Sequence, residues 1–155
     1  MNGQQAAEFI VREQRFLMNI VKGFRPDDGE FRPAPGMMTV AQQVHHVART
    51  IRWFMEGAFG AGFDLDFEKF ERENMEHISL EAAIQALREA YEDYITLIGS
   101  RSEAELAAPL PSNRILGEVP RLAVVFANQD HTAHHRGALS VYLRLLGRKP
   151  EMVYA

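Results

Sequence analysis

Thr39-Val40-Ala41-Gln42-Gln43-Val44-His45-His46-Val47-Ala48-Arg49-Thr50-Ile51-Arg52-Trp53-Phe54 is the stretch whose reading decides the fold. Its Val40, Val44, Val47, Ile51 and Phe54 recur at steps of four, three, four and three. That spacing puts them on one side of an α-helix, as along the seam of a helix bundle. Working outward, residues 5–22 repeat the pattern with Ala6, Phe9, Ile10, Phe16, Leu17, Ile20 and Val21, ending at Gly23. A third helix is expected from Ser79 or Leu80 to Gly99, carrying Ala83, Leu87, Ala90, Tyr91, Tyr94 and Ile98. Ser102-Glu103-Ala104-Glu105 has the spacing of a capping box and predicts a short helix. The last helix is predicted from Pro120, a residue suited to a first helical position, to Leu146, with Gly147 as its stop and Pro150 beyond.

Between the second and third helices, residues 61–78 read as a long, partly buried connection in which Phe63, Leu65, Phe67 and Phe70 alternate with acidic residues. Asp64-x-Asp66-x-Glu68 suggests a calcium loop, but Lys69 stands where the loop needs glycine and Met75 where it needs glutamate. No strand alternation and no internal repeat stands out. The expected fold is all-α: an up-and-down four-helix bundle with one long crossover connection, occupying residues 1–155 as a single domain.

Composition narrows the function. Hydrophobic residues make up 46% of the 155 and charged residues 25%, the balance of an ordinary globular protein rather than a disordered chain. A net charge of -4 argues against a general nucleic-acid binder, which needs basic groups for phosphates. There is no cysteine, which removes disulfides, thiolate metal sites and an internal thiol nucleophile. The amino-terminal stretch lacks the apolar run of a signal peptide and no segment is apolar enough to span a bilayer, so a cytoplasmic protein without membrane contact is expected.

The histidines carry the chemistry. His45 and His46 sit together on the second helix, His131, His134 and His135 on the last, and only His77 is isolated. His131 and His135 are one helical turn apart and point the same way, as two imidazoles must to grip one cation. A third ligand must come from another helix. His46 lies about 120° and His45 about 140° from the centre of the apolar stripe, so spacing leaves both open. The row Gln43, His46, Thr50, Trp53 reads as the more interior flank and favours His46. The competing account is a set of core histidines satisfied by Gln43, Asn128 or Tyr142. A zincin is excluded because Thr132, not glutamate, follows His131. A ferritin-like di-iron site is excluded because no glutamate stands three residues before a clustered histidine.

Met38-Thr39-Val40-Ala41-Gln42-Gln43-Val44-His45-His46-Val47-Ala48 with Trp53-Phe54 resembles the second helix of the DinB/YfiT-like family. His131-Thr132-Ala133-His134-His135-Arg136-Gly137-Ala138, running on through Tyr142 to Pro150, is similar to that family's last helix and exit turn. The resemblance implies a four-helix bundle holding one divalent metal, zinc, nickel or iron, on His46, His131 and His135. It further implies a homodimer and, from characterised relatives, a transferase acting with a low-molecular-weight thiol on a small electrophile. Ala138 departs from the family's usual glutamine, which removes one hydrogen bond behind the site.

Around these residues Asn128 is expected to orient an imidazole or a water, and Arg136 to reach a substrate carboxylate or pair with a surface acid. Trp53, Phe54 and Tyr142 read as core rather than substrate platform, although Tyr142 continues the histidine stripe. Gly137, inside a helix at a cost of about 1 kcal/mol against alanine, is expected to be offset by close packing beside the histidines. Two functions stay in play. One is an enzyme that activates an external thiol, or water as the runner-up, with Glu56 and Asp130 as weak general-base candidates. The other is a non-catalytic dimeric stress-response or ligand-binding bundle.

Overall fold

The computed structural model describes residues 1–111 and 113–154. Helices α1 (Gly3–Val21), α2 (Val40–Phe59), α4 (Leu80–Gly99) and α6 (Ala123–Leu145) are long; α3 (Phe67–Asn74) and α5 (Glu103–Ala107) are short. A single 3-10 turn, Pro26–Glu30, interrupts the first connection. Among the described residues the only β-type pairing is an isolated bridge between Pro109 and Pro120.

Local chemistry explains most of the boundaries. Asn2, Thr39 and Ser102 each cap a helix in a reciprocal capping box with Gln5, Gln42 and Glu105, so two otherwise orphaned amide donors are satisfied at each start. Ser79 accepts from Ala82 N at the start of α4. At the far end of α6, Gly147 takes the left-handed conformation (φ 75°). There Gly147 N donates to Arg144 O and Arg148 N to Leu143 O, both at 3.0 Å, closing the last turn.

Pro120 does not begin α6. It stands in the bridge to Pro109, and a tight turn of 120–122 leads into the helix at Ala123, with Ala123 N donating to Pro120 O at 2.9 Å. The sequence signal was real but marks the lead-in turn, because proline is equally suited to opening such a turn.

Residue pairs fix the helix directions. Gly3 N bonds Arg101 O and Tyr91 reaches Glu13, so α1 and α4 run antiparallel. Gly29 sits against both Leu80 and Ala41 while Arg52 faces Glu89, so α2 and α4 run parallel. Gln43 meets His135 and Phe54 clusters with Val124, so α2 and α6 are antiparallel. The order is up, down, down, up, and the parallel step from α2 to α4 requires the long crossover of residues 60–79, which contains α3. The main core joins Ile10, Leu17, Val44, Ile51, Leu87, Tyr91 and Leu139 from the four long helices. No helix of the described residues is long and apolar enough to cross a membrane.

Candidate metal centre

The seam of α2 turns Val40, Val44, Val47 and Ile51 into the core, and the flank beside it carries Gln43, His46 and Thr50 towards α6. Because α6 crosses on that flank, His46 meets the last helix, whereas His45 does not. Nε2 of His46 stands 3.1 Å from Nε2 of His131. The ring of His135 is 4.7 Å from that of His46 and 4.5 Å from that of His131, centre to centre. Each of the three offers one nitrogen, and these nitrogens all lie within 4.8 Å of one another.

A cation fits this donor set. Two nitrogens bound tetrahedrally at about 2.0–2.1 Å stand about 3.3 Å apart, close to the 3.1 Å between His46 and His131. Nδ1 of His135 lies 3.1 Å from Oε1 of Gln43. An amide oxygen only accepts, so that nitrogen carries the proton and Nε2 keeps its lone pair for a cation. Gln43, expected as a histidine partner only in the competing account of core histidines, here backs a ligand of the group; it stands one turn before His46 on the same row. It supplies from α2 the kind of hydrogen bond that alanine at position 138 cannot.

Burial keeps these imidazoles basic only weakly. Desolvation lowers the pKa of His131 to about 4, aided by His46 and His134. It lowers that of His135 to about 3, aided by His131, His46 and His134. His46 is also lowered, again by burial first, with Asn74 opposing. Near neutral pH His131 and His135 are therefore uncharged, the state in which imidazole is a ligand. His45 is lowered by burial and by Arg49 and Arg52 but turns away from the cluster, and His134 is exposed beside His135.

The residues expected around the site divide. Asn128 is fully buried one turn before His131. Its two polar atoms and Nδ1 of His131 find no hydrogen-bond partner among the described residues. Tyr142 donates instead to Met38 O at 3.0 Å and packs edge-on against Phe31, bracing the entry to α2. Arg136 lies over the rings of Phe16 and Tyr154, on the α1 side of α6. Glu56 accepts from Ala61 N at 2.7 Å in the turn after α2, and Asp130 is exposed. His77 is exposed and faces Glu30.

One expectation is extended and one corrected. Phe54 is buried core with Trp53 packed against it, and both also line, with Phe67, Phe70, Arg49, Thr50, Glu71 and Asn74, a cavity of about 370 Å³ that opens onto His46 and His131. Gly137 is exposed, and a Cβ placed on it would meet nothing within 4 Å, so no close packing offsets its cost.

The DinB family's sequence model matches residues 1–155. The chain belongs to the DinB family. Solved structures agree on the fold. A DinB-like protein from Bacillus cereus ATCC 10987 superposes with a TM-score of 0.73 at 18% identity, covering 93% of this chain and 92% of that one. A DinB-like protein from Bacillus subtilis gives a TM-score of 0.71 at 18% identity, covering 97% and 96%. A comparison with curated proteins finds no match. Within the DinB fold of this chain, then, the histidine group lies where the last helix crosses the second, at the mouth of an apolar cavity.

Proposed function

We propose that this DinB protein binds one divalent metal ion on His46, His131 and His135 and uses it to activate an external low-molecular-weight thiol, or water, against a small electrophile. The observation that carries the reading is three nitrogens from two helices within 4.8 Å of one another, two of them on imidazoles that burial holds neutral. Zinc, nickel and iron(II) all accept such a set. A divalent ion there would supply Lewis acidity, lowering the pKa of a thiol or water or polarising a carbonyl.

The chain's own residues do the rest. Gln43 fixes the tautomer and orientation of His135. Trp53, Phe54, Phe67 and Phe70 wall the approach with apolar surface, which thins the water around a reacting group. With no cysteine in the chain, a thiol nucleophile must come from outside. The homodimer belongs to the same proposal; Val141 and Leu145, one turn apart on α6, are exposed apolar residues that support a covered face.

Metal content of the purified protein, read alongside thiol-transfer assays on wild type and His135→Ala, tests this reading. The expected result is one equivalent of metal, at least a 100-fold loss of affinity in His135→Ala, and turnover that disappears with the metal. Stoichiometric metal without turnover over a broad panel of electrophiles would leave a non-catalytic bundle instead.

A further inference from the structure

We infer that the cavity beside the histidines is a receptor for a neutral, ring-containing small molecule, held by its apolar body between α2 and α3 with its polar end towards His46 and His131. The inference deepens the proposed function and rests on it for the polar end alone.

Size sets the first limit. A cavity of about 150 Å³ admits benzene, and this one measures about 370 Å³. One ring with a substituent, or a fused pair of rings, fits within it. The walls select the chemistry. Trp53 stands 5.1 Å from Phe54 and 6.3 Å from Phe70, ring centre to ring centre, and Phe67 stands 6.4 Å from Phe70. These are separations at which aromatic rings attract edge to face. Trp53 is further fixed by its Nε1–H, which donates to Asp64 O at 2.8 Å. Behind it Phe63 presses on α2 at Gly57, where a Cβ would lie 2.3 Å from the Phe63 ring.

Charge sets the second limit. The one cation lining the cavity, Arg49, is already paired with Glu73 and lies over the Phe70 ring. Glu71 adds a negative charge to the rim. Away from the histidines, a carboxylate would lose water without gaining a free cation, so the metal-free cavity favours a neutral body. The roof is built to close on such a guest. Helix α3 has no buried residue, and Phe67 is 56% exposed. It is tethered by the Arg49–Glu73 pair and by the Gln42 amide, which donates to Met75 O at 2.7 Å. A guest beneath it would give its rings the apolar contact they lack.

Trp53 is the only tryptophan, so its fluorescence reports on the cavity directly. Benzyl alcohol and benzoate are titrated into metal-free protein and, separately, into zinc-loaded protein. Saturable change in Trp53 emission with benzyl alcohol is expected, with benzoate at least about ten-fold weaker in the metal-free form. Phe70→Ala is expected to weaken benzyl alcohol binding about ten-fold or more while leaving zinc affinity unchanged. No saturable response to benzyl alcohol, or benzoate binding metal-free protein equally well, overturns the inference. His135→Ala separates the two readings, since His135 does not line the cavity. Loss of zinc there with the benzyl alcohol response intact supports the receptor, and a wild type that binds zinc but not benzyl alcohol refutes it.

Discussion

Helix α6 buries polar groups on two of its faces, and the fold treats them differently. Towards α2 it presents His131 and His135, which meet His46 beside the cavity. Towards α1 and α4 it presents Thr132 to Glu13 and Tyr91, deep in the core. Burial pushes both sets towards their uncharged forms: the histidine pKa values fall, while the Glu13 carboxyl rises against the pull of Tyr91, Thr132 and Arg136. The consequence is opposite. For an imidazole that direction makes a better ligand, whereas for a carboxyl it only eases burial in the core. Glu13 also has its hydrogen bond, from Tyr91 Oη at 2.8 Å. The same physical operation thus makes a site on one face and a brace on the other.

The largest expected effect tests the brace. Tyr91 is fully buried, so Tyr91→Ala is expected to cost about 3–5 kcal/mol in chemical denaturation. Tyr91→Phe keeps the ring and strands the Glu13 carboxyl, for about 1–3 kcal/mol. Zinc affinity in Tyr91→Phe is expected to stay within about two-fold of wild type. A large loss of zinc in that variant would join the two faces into one functional unit.

Next comes the support behind the site. Gln43→Leu keeps the volume and removes the acceptor for His135, and is expected to weaken zinc binding about 10–100-fold, measured by competition with a chromophoric chelator. Unchanged affinity would mean that the hydrogen bond at Gln43 merely fills space. Together with Tyr91→Phe it gives a crossed pair: one variant loses stability, the other loses metal.

Acid separates the faces by sign. In the unfolded chain histidine takes a proton as pH falls below about 6.5, while His131 and His135 in the folded protein wait until about 4 and about 3. Between those limits the unfolded state binds more protons, so metal-free protein loses stability as pH falls from about 6.5 towards about 4. One histidine contributes at most about 1.4 kcal/mol per pH unit, and the partial exposure of these rings lowers that. Glu13 acts the other way: its raised pKa gives stability that is present at low pH and fades as pH climbs through the folded value. Urea midpoints across pH 4–7 should therefore fall more steeply on acidification in Glu13→Gln than in wild type. An equal slope in the two proteins would remove Glu13 from the balance.

How much of this was legible in the sequence depends on whether a feature is local. The starts of α2, α4 and α5 were readable because Thr39, Ser79 and Ser102 act within three residues. Helix α3 was not, since none of its residues is buried and its apolar stripe, Phe67 and Phe70, spans a single turn. The pair His131 and His135 was visible from spacing alone, but the distances of His46 and His45 from the centre of the apolar stripe differ by only about 20°. They lie on opposite flanks of that stripe, at nearly equal distances from its centre, and what separates them is the position of α6, a tertiary fact. The cavity escaped for the same reason: Trp53 and Phe54 continue a core-like pattern until α3 is set opposite them.

The smallest effect bears on a glycine whose expected packing is absent. Gly137 lies inside α6, two residues after His135 and on the opposite side of the helix, and is exposed with open space where a Cβ would stand. Nothing in the chain then compensates its backbone freedom, and Gly137→Ala is expected to stabilise the protein by about 0.5–1 kcal/mol, read as a higher Tm. Zinc affinity should not move, because the substitution touches neither polar face of the helix. The comparison breaks if Tm falls instead, and the dependence on protein concentration says how. A loss that shrinks on dilution, as both proteins dissociate, would mean that a second copy packs against Gly137, which would draw the outward face of α6 into the proposed dimer.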